Sequence, residues 1–275
     1  MSANRGAKIV LHWLEKSRAQ RIMWLMEELN LSYNIKTYKR GPNGVAPPEL
    51  KQIHPLGKSP IVSVQPPDAS QPMVLVESAP ILEYFLDHFG GANARLVPQR
   101  YQPGREGQLG GETESWMRYR YYMHYAEGSL MSPIQVQLIM NGISQLFLVL
   151  YVWLMADRTA VKNAPVPFFI KPVTGFITGK VSAEFLDQEL RTHFRFLEGQ
   201  LASAPEQGPF LCGSHLTAAD IQMSIPVIAA LNLAIIPRKE YPRLDAYAGE
   251  IQNSQGYRRA VEKVEKIEGK PFVPI

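Results

Sequence analysis

The sequence predicts a mixed α/β domain over residues 1–91 followed by an all-helical domain over residues 112–275. Up to residue 91, short apolar runs rich in β-branched residues alternate with apolar residues at helical spacing. After residue 111 no convincing strand pattern remains, and helices explain the apolar residues better. Residues 92–111 are rich in Gly, Pro, Gln and Arg, which is typical of a linker between domains.

The first domain begins with a strand–helix–strand unit. Residues 8–13, KIVLHW, form a short apolar run that predicts a strand. A helix follows, and its apolar stripe consists of Ile22, Leu25, Met26 and Leu29. Residues 32–39 alternate as a second strand. A unit of this length predicts that the two strands are parallel.

The remainder of the first domain predicts a short helical piece, two strands and a helix. The helical piece is PELKQI, and the strands at 61–64 and 73–76 are close enough in sequence to pair as a hairpin. The apolar stripe of the last helix consists of Ile81, Leu82, Phe85, Leu86 and Phe89. The order is therefore β-α-β, helical piece, β-β-α.

Composition excludes several classes of protein. The net charge is +4, but Lys and Arg are scattered, which argues against nucleic acid as a partner. The single cysteine, Cys212, excludes an internal disulfide and a Cys-x-x-Cys motif, and we expect it to be buried and inert. The first residues lack the apolar core of a signal peptide, so we expect a cytoplasmic protein.

Glu77 and Ser78 stand at the predicted corner between a strand and a helix, with Pro80 just behind. One interpretation is structural: Ser is a good N-cap, Pro suits the first helical turn, and Glu is solvated. The other is a ligand site, because a helix start attracts anions. This window by itself leaves both interpretations open.

Ser59 and Pro60 precede the third predicted strand. An X-Pro bond is the only peptide bond that adopts cis cheaply. A cis bond here would turn the chain sharply and expose the Ser59 backbone to an extended peptide ligand. The alternative is an ordinary trans proline at a strand entrance.

Five segments resemble the cytosolic glutathione transferases, and in particular the fungal transferases related to the first yeast enzyme of this kind. They are LHWLEKSRAQRIMWLMEELNLSYNIKTYKR, APPELKQIHPLGKSPIV, ESAPILEYFLDHF, YAEGSL and PFLCGSHLTAADIQMSIP. Each motif alone is weak, and their order makes the resemblance specific. It implies a thioredoxin-like glutathione-binding domain followed by an all-α domain, the glutathione transferase fold.

The resemblance implies roles for the residues at the corner. Glu77 would accept a hydrogen bond from the ammonium of the γ-glutamyl group, and Ser78 would donate to its α-carboxylate together with the N–H groups of the helix start. Ser59 and Pro60 would present backbone groups to the cysteinyl unit. Lys58 would neutralise the glycyl carboxylate.

The group that activates the glutathione thiol is the next expectation. The thiolate is the nucleophile, so the enzyme must lower the pKa of the thiol. The family places Tyr, Ser or Cys just after the first strand for this purpose, and the pattern puts that position at Lys16, one residue before Ser17. We take Ser17 at the helix start as the catalytic candidate, and a simple N-cap as the alternative. No cysteine stands here, so thiol exchange is not expected.

In the helical domain, Tyr121 and Tyr125 are one turn apart and are candidates for the electrophile pocket, or else core or dimer-interface aromatics. Thr217 and Asp220 have the spacing of a capping box, so Asp220 is expected to be structural. No metal site is expected, since His124 has no second ligand at useful spacing.

Residues 134–155 form a long apolar segment with polar residues confined to its first half. We predict a buried helix, covered by the loop at 163–180, which departs from the family pattern. The alternative is an apolar patch that docks on a membrane surface.

The resemblance implies an intracellular homodimeric enzyme of detoxification that conjugates reduced glutathione, its co-substrate, to hydrophobic electrophiles. A glutathione-dependent peroxidase activity would use the same thiolate. The rival hypotheses are a non-catalytic glutathione-binding scaffold and a ligand carrier at an internal membrane surface.

Overall fold

Four strands form one mixed sheet in the order β2-β1-β3-β4. The fold is described by a computed structural model over residues 3–42, 44–141 and 186–272. The strands are β1 (Lys8–Leu14), β2 (Asn34–Tyr38), β3 (Ile61–Gln65) and β4 (Met73–Val76). β1 and β2 are parallel, whereas β3 is antiparallel to both of its neighbours. The predicted parallel pair and the predicted hairpin are therefore confirmed.

Helices account for most of the remaining described residues. They are α1 (Ala19–Glu28), α2 (Ser78–Phe89), α3 (Glu114–Tyr125), α4 (Asp187–Ala202), α5 (Ala218–Asn232), α6 (Pro242–Asn253) and α7 (Gln255–Glu268). A π-helical turn at Ala126–Leu130 follows α3, and helical geometry continues through 131–141. Short 3₁₀ turns lie at Pro48–Gln52, Gly91–Leu96, Pro205–Gln207 and Arg238–Glu240. The fold class, a thioredoxin-like domain joined to an all-α domain, is confirmed.

The chain divides into two compact units. One consists of Met1–Ala126 and Glu198–Ile275, and the other of Glu127–Leu197. In the first unit α1 packs against α5 and α7, and α3 packs against α5. The predicted domain boundaries at residues 91 and 112 stay a prediction.

α5 is buried on every side from Ala218 to Leu231, so local hydrophobicity alone would not fix its start. The predicted capping box fixes it. Asp220 accepts hydrogen bonds from the Thr217 backbone N–H (2.8 Å), the Thr217 hydroxyl (2.8 Å), the Leu211 N–H (3.2 Å) and the Tyr247 hydroxyl (2.9 Å). Burial raises the pKa of Asp220, and these four hydrogen bonds oppose that rise. Asp220 is thus the centre of a structural network.

Cys212 is buried beside this network, as predicted. Burial raises the pKa of its thiol well above the ordinary range, and the negative charge of Asp220 adds to the rise. The thiol therefore stays protonated near neutral pH.

Candidate functional site

Three segments of the first domain meet at one edge of the sheet. β1 ends there at Leu14, β3 begins there at Ile61 and β4 ends there at Val76, because β3 runs antiparallel to both neighbours. Ile61 is paired with His12 on one side and with Val76 on the other. The predicted site residues that follow β1, precede β3 and follow β4 are therefore close together.

The Ser59–Pro60 peptide bond is cis. Pro60 is buried, Ser59 is half-buried and Lys58 is exposed.

Glu77 and Ser78 form the corner between β4 and α2. Glu77 is exposed and has a left-handed backbone with φ of 67°, which is costly for a residue with a side chain. Such strain persists where the surrounding structure holds it, and it clusters at ligand sites. α2 begins at Ser78, and no side chain caps it. The structural alternative, in which Ser78 is the N-cap, is therefore not what the structure shows.

The Ser78 hydroxyl contacts two side chains that the sequence did not point to. Arg21 Nη1 lies 3.3 Å from Ser78 Oγ, and Gln222 Nε2 lies 3.0 Å from the same oxygen. Ser78 is 3% exposed, and both partners are fully buried. The available sequence signal was weak, because Arg21 and Gln222 each belong to a helix that contains other buried polar residues as well.

Ser17 lies in the loop between β1 and α1 and is buried. α1 begins at Ala19, with Arg18 at the N-cap position, so the N-cap alternative for Ser17 is wrong by one residue. The Ser17 hydroxyl nevertheless accepts a hydrogen bond from the Ala19 N–H at 3.2 Å. It donates its proton to the Leu14 carbonyl at 2.6 Å.

A hydrogen bond of 2.9 Å joins Ser17 Oγ to Ser59 Oγ, so the structure brings two of the predicted site residues together. A hydroxyl has one proton, and that of Ser17 is directed to Leu14. Ser59 is therefore the donor in this pair. In this arrangement the Ser17 hydroxyl has no proton left for a ligand.

A cavity of about 270 Å³ opens beside Ser17. Its lining residues are Trp13, Lys16, Ser17, Gln20, Glu268, Lys270, Pro271 and Phe272. The last four come from the C-terminal end of the described chain. Lys270 Nζ lies 3.4 Å from Glu268 and 3.7 Å from Glu15, which holds this end against the β1–α1 loop.

Tyr121 and Tyr125 stack on α3 with ring centroids 5.1 Å apart. Tyr125 is buried, and Tyr121 is 47% exposed. Neither lines the cavity beside Ser17. Their part in an electrophile pocket stays a prediction.

Two further predictions concern membranes and metals. Among the described helices, none is long and apolar enough to cross a membrane. Within residues 3–42, 44–141 and 186–272, no group of three or more His, Cys, Asp or Glu side chains is placed to hold a metal ion. The predicted cover of the 134–155 helix by the 163–180 loop falls largely outside the described residues.

Comparison with known proteins places the chain. Residues 7–87 match the model of the glutathione S-transferase N-terminal domain, and residues 176–259 match a model of the C-terminal domain. Glutathione S-transferase 1 of Saccharomyces cerevisiae is 30% identical over 94% of this chain and 96% of its own length.

Solved structures agree with these matches. A glutathione S-transferase from Actinobacillus pleuropneumoniae has a TM-score of 0.63 and 26% identity, covering 94% of this chain and 93% of its own. A glutathione transferase homologue from Sulfitobacter with bound glutathione has a TM-score of 0.60 and 14% identity, covering 94% and 98%. The chain belongs to the glutathione S-transferase family.

Proposed function

We propose that this enzyme conjugates reduced glutathione to hydrophobic electrophiles. The observation that carries the proposal is the convergence at one sheet edge of Ser17, Ser59 and the Glu77–Ser78 corner. The Sulfitobacter relative with bound glutathione supports the choice of ligand.

Glutathione would lie across this edge of the sheet. Glu77 is exposed and accepts from the γ-glutamyl ammonium, while Ser78 and the first N–H groups of α2 donate to the α-carboxylate. The Ser59 backbone pairs with the cysteinyl unit. The exposed Lys58 ammonium is available to the glycyl carboxylate.

Thiol activation requires a change at Ser17. The Ser17 hydroxyl donates its hydrogen bond to the Leu14 carbonyl. It has to rotate toward the glutathione sulfur before it can stabilise a thiolate. The thiol releases its proton to solvent, and the thiolate attacks the electrophilic carbon: a carbon–sulfur bond forms, and the leaving group departs with the bonding electrons. With a chlorodinitrobenzene the products are the aryl thioether and chloride.

The electrophile has to lie within bonding distance of the sulfur. The cavity beside Ser17 is the proposed place for it, because Ser17 is the candidate for contact with the sulfur and Trp13, Pro271 and Phe272 give the cavity an apolar wall. Tyr121 and Tyr125 remain proposed contacts for larger electrophiles.

A peroxidase activity toward organic hydroperoxides would use the same thiolate. The sulfur attacks the O–O bond, releasing an alcohol and forming a sulfenic acid on glutathione. A second glutathione then reduces this acid to the disulfide and water. Coupled assays with cumene hydroperoxide test this activity.

The experiment that tests the proposed function combines calorimetric titration of glutathione with turnover of a chlorodinitrobenzene. We expect saturable binding together with thioether formation. Binding without turnover would favour the scaffold hypothesis. Absence of glutathione binding would exclude both the transferase function and the glutathione-binding scaffold. A cytoplasmic location stays a prediction, to be checked by fluorescence microscopy of the tagged protein.

Ser17→Ala is expected to lower kcat/KM about a hundredfold, the usual effect of losing one donor to a developing anion. The thiolate absorbance of bound glutathione at neutral pH should fall with it. Ser32→Ala is the matched control, because Ser32 is exposed and precedes β2 at the opposite edge of the sheet. Unchanged turnover would mean that Lys16 or a backbone N–H, and not Ser17, stabilises the glutathione thiolate.

We also propose a homodimer. Met73 on β4 and Met117 and Tyr121 on α3 are large apolar side chains that lie exposed in the first unit. Light scattering should report twice 31.0 kDa at micromolar concentration. Met117→Asp should shift the mass to the monomer, whereas Leu109→Asp, at a fully exposed linker position, should not. A monomeric wild-type protein would contradict this proposal.

A further inference from the structure

The Ser78 hydroxyl accepts hydrogen bonds from two side chains that are far from it in the sequence. Arg21 belongs to α1 and Gln222 to α5, 144 residues beyond Ser78. Both donor nitrogens lie within hydrogen-bond distance of the same oxygen, at 3.3 Å and 3.0 Å. All three residues are buried, so these contacts are shielded from bulk water.

The arrangement decides what the hydroxyl can do. A serine hydroxyl has one proton and two lone pairs. Arg21 and Gln222 occupy both lone pairs, so only the proton remains available to a ligand. We propose that Arg21 and Gln222 are positioning residues that fix Ser78 as a hydrogen-bond donor and so select a carboxylate at this corner. The inference rests on the proposed glutathione site.

The charge of Arg21 acts in the same direction. A hydrogen bond from a guanidinium into Ser78 Oγ polarises the O–H bond and strengthens its donation to an anion. The start of α2 adds the partial positive charge of its N–H groups. Three features therefore favour a carboxylate at Ser78. They are the proton of its hydroxyl, the Arg21 cation and the partial positive charge at the start of α2.

Glu77 gives the corner its opposite pole. Its side chain is exposed and accepts hydrogen bonds only, so it suits an ammonium. The ligand group that satisfies both poles carries an ammonium and a carboxylate on one carbon. In glutathione the γ-glutamyl unit carries both groups on its α-carbon. Binding at both residues would therefore fix the orientation of the γ-glutamyl unit.

The orientation of the Gln222 amide is part of the inference. Its Oε1 is buried and has no hydrogen-bond partner among the described residues. The reverse orientation would bring Oε1 to Ser78 and attract the serine proton away from the ligand. The two orientations predict opposite effects of removing the amide, which makes the inference testable.

The test compares two ligands, reduced glutathione and an analogue in which a γ-aminobutyryl group replaces the γ-glutamyl group, removing only the α-carboxylate. We expect Gln222→Leu to weaken glutathione binding about five-fold, the size of one hydrogen bond, and to leave the affinity for the analogue unchanged. In a Ser78→Ala background, Gln222→Leu should have no further effect. The control is Ser224→Ala, another buried polar residue of α5, whose hydroxyl donates to the Ile221 carbonyl.

Arg21 is tested with a pair of variants. Arg21→Met should reduce the preference for glutathione over the analogue, and Arg21→Lys, which keeps the cation, should restore part of it. Thermal unfolding verifies that each variant is folded. If Arg21→Met does not fold, Gln222→Leu carries the test alone.

The outcomes separate this inference from the proposed function. Equal weakening of both ligands, tighter glutathione binding by Gln222→Leu, or an effect that persists without Ser78 would each overturn the positioning role. A wild-type protein that binds no glutathione would overturn the proposed function, and this inference with it.

Discussion

Ser78→Ala is expected to weaken glutathione binding by about 10- to 150-fold, which corresponds to ~1.5–3 kcal/mol for a hydrogen bond to a charged group. The loss is large because the contact is enclosed: Ser78 is 3% exposed, so water cannot readily replace the missing donor. The substitution also leaves the Arg21 and Gln222 nitrogens without their shared acceptor.

Isothermal titration calorimetry measures this effect. Ser63→Ala is the matched control, because it removes a hydroxyl from β3 that hydrogen-bonds His12 Nε2 away from the corner. Unchanged affinity in Ser78→Ala, with the control also unchanged, would rule out the corner as the site of the α-carboxylate.

Asp220→Ala is expected to destabilise the fold by about 3–5 kcal/mol, because each buried donor left unpaired costs ~1–3 kcal/mol. The backbone N–H groups of Thr217 and Leu211 and the Tyr247 hydroxyl would all lose their acceptor. The start of α5 would loosen, and with it the helix that carries Gln222.

Denaturant unfolding followed by circular dichroism gives this free energy of unfolding. Asp87→Ala, at an exposed position on α2, is the control and should change it by less than about 0.5 kcal/mol. A difference below ~1 kcal/mol for Asp220→Ala would show that water replaces the lost acceptor and that the network is not a structural centre.

The predictions for Ser78 and Asp220 are linked through α5. Asp220 holds the first turn of that helix, and Gln222 stands two residues later. Loss of Asp220 should therefore weaken glutathione binding indirectly.

The fold class and the elements of the first domain were predictable from the sequence. Their signals are local: period-two alternation in β2 and apolar stripes at helical spacing in α1 and α2. The start of α5 in the helical domain was predictable from its capping box. The corner at Ser78 was predictable for the same reason, since a strand, a polar pair and a helix follow one another directly.

What the sequence by itself determined is thus the order of the elements and the polar residues at their ends, Ser17, Ser59, Glu77 and Ser78. Only the tertiary structure decided that the Ser17 hydroxyl donates to the Leu14 carbonyl and that the Arg21 and Gln222 side chains both donate to the Ser78 hydroxyl. α1 is covered by the sheet and by α5 and α7, so a stripe pattern does not reveal which neighbouring element Arg21 contacts. The direction of a hydroxyl proton depends on every acceptor around it, and those acceptors come from segments far apart in the chain.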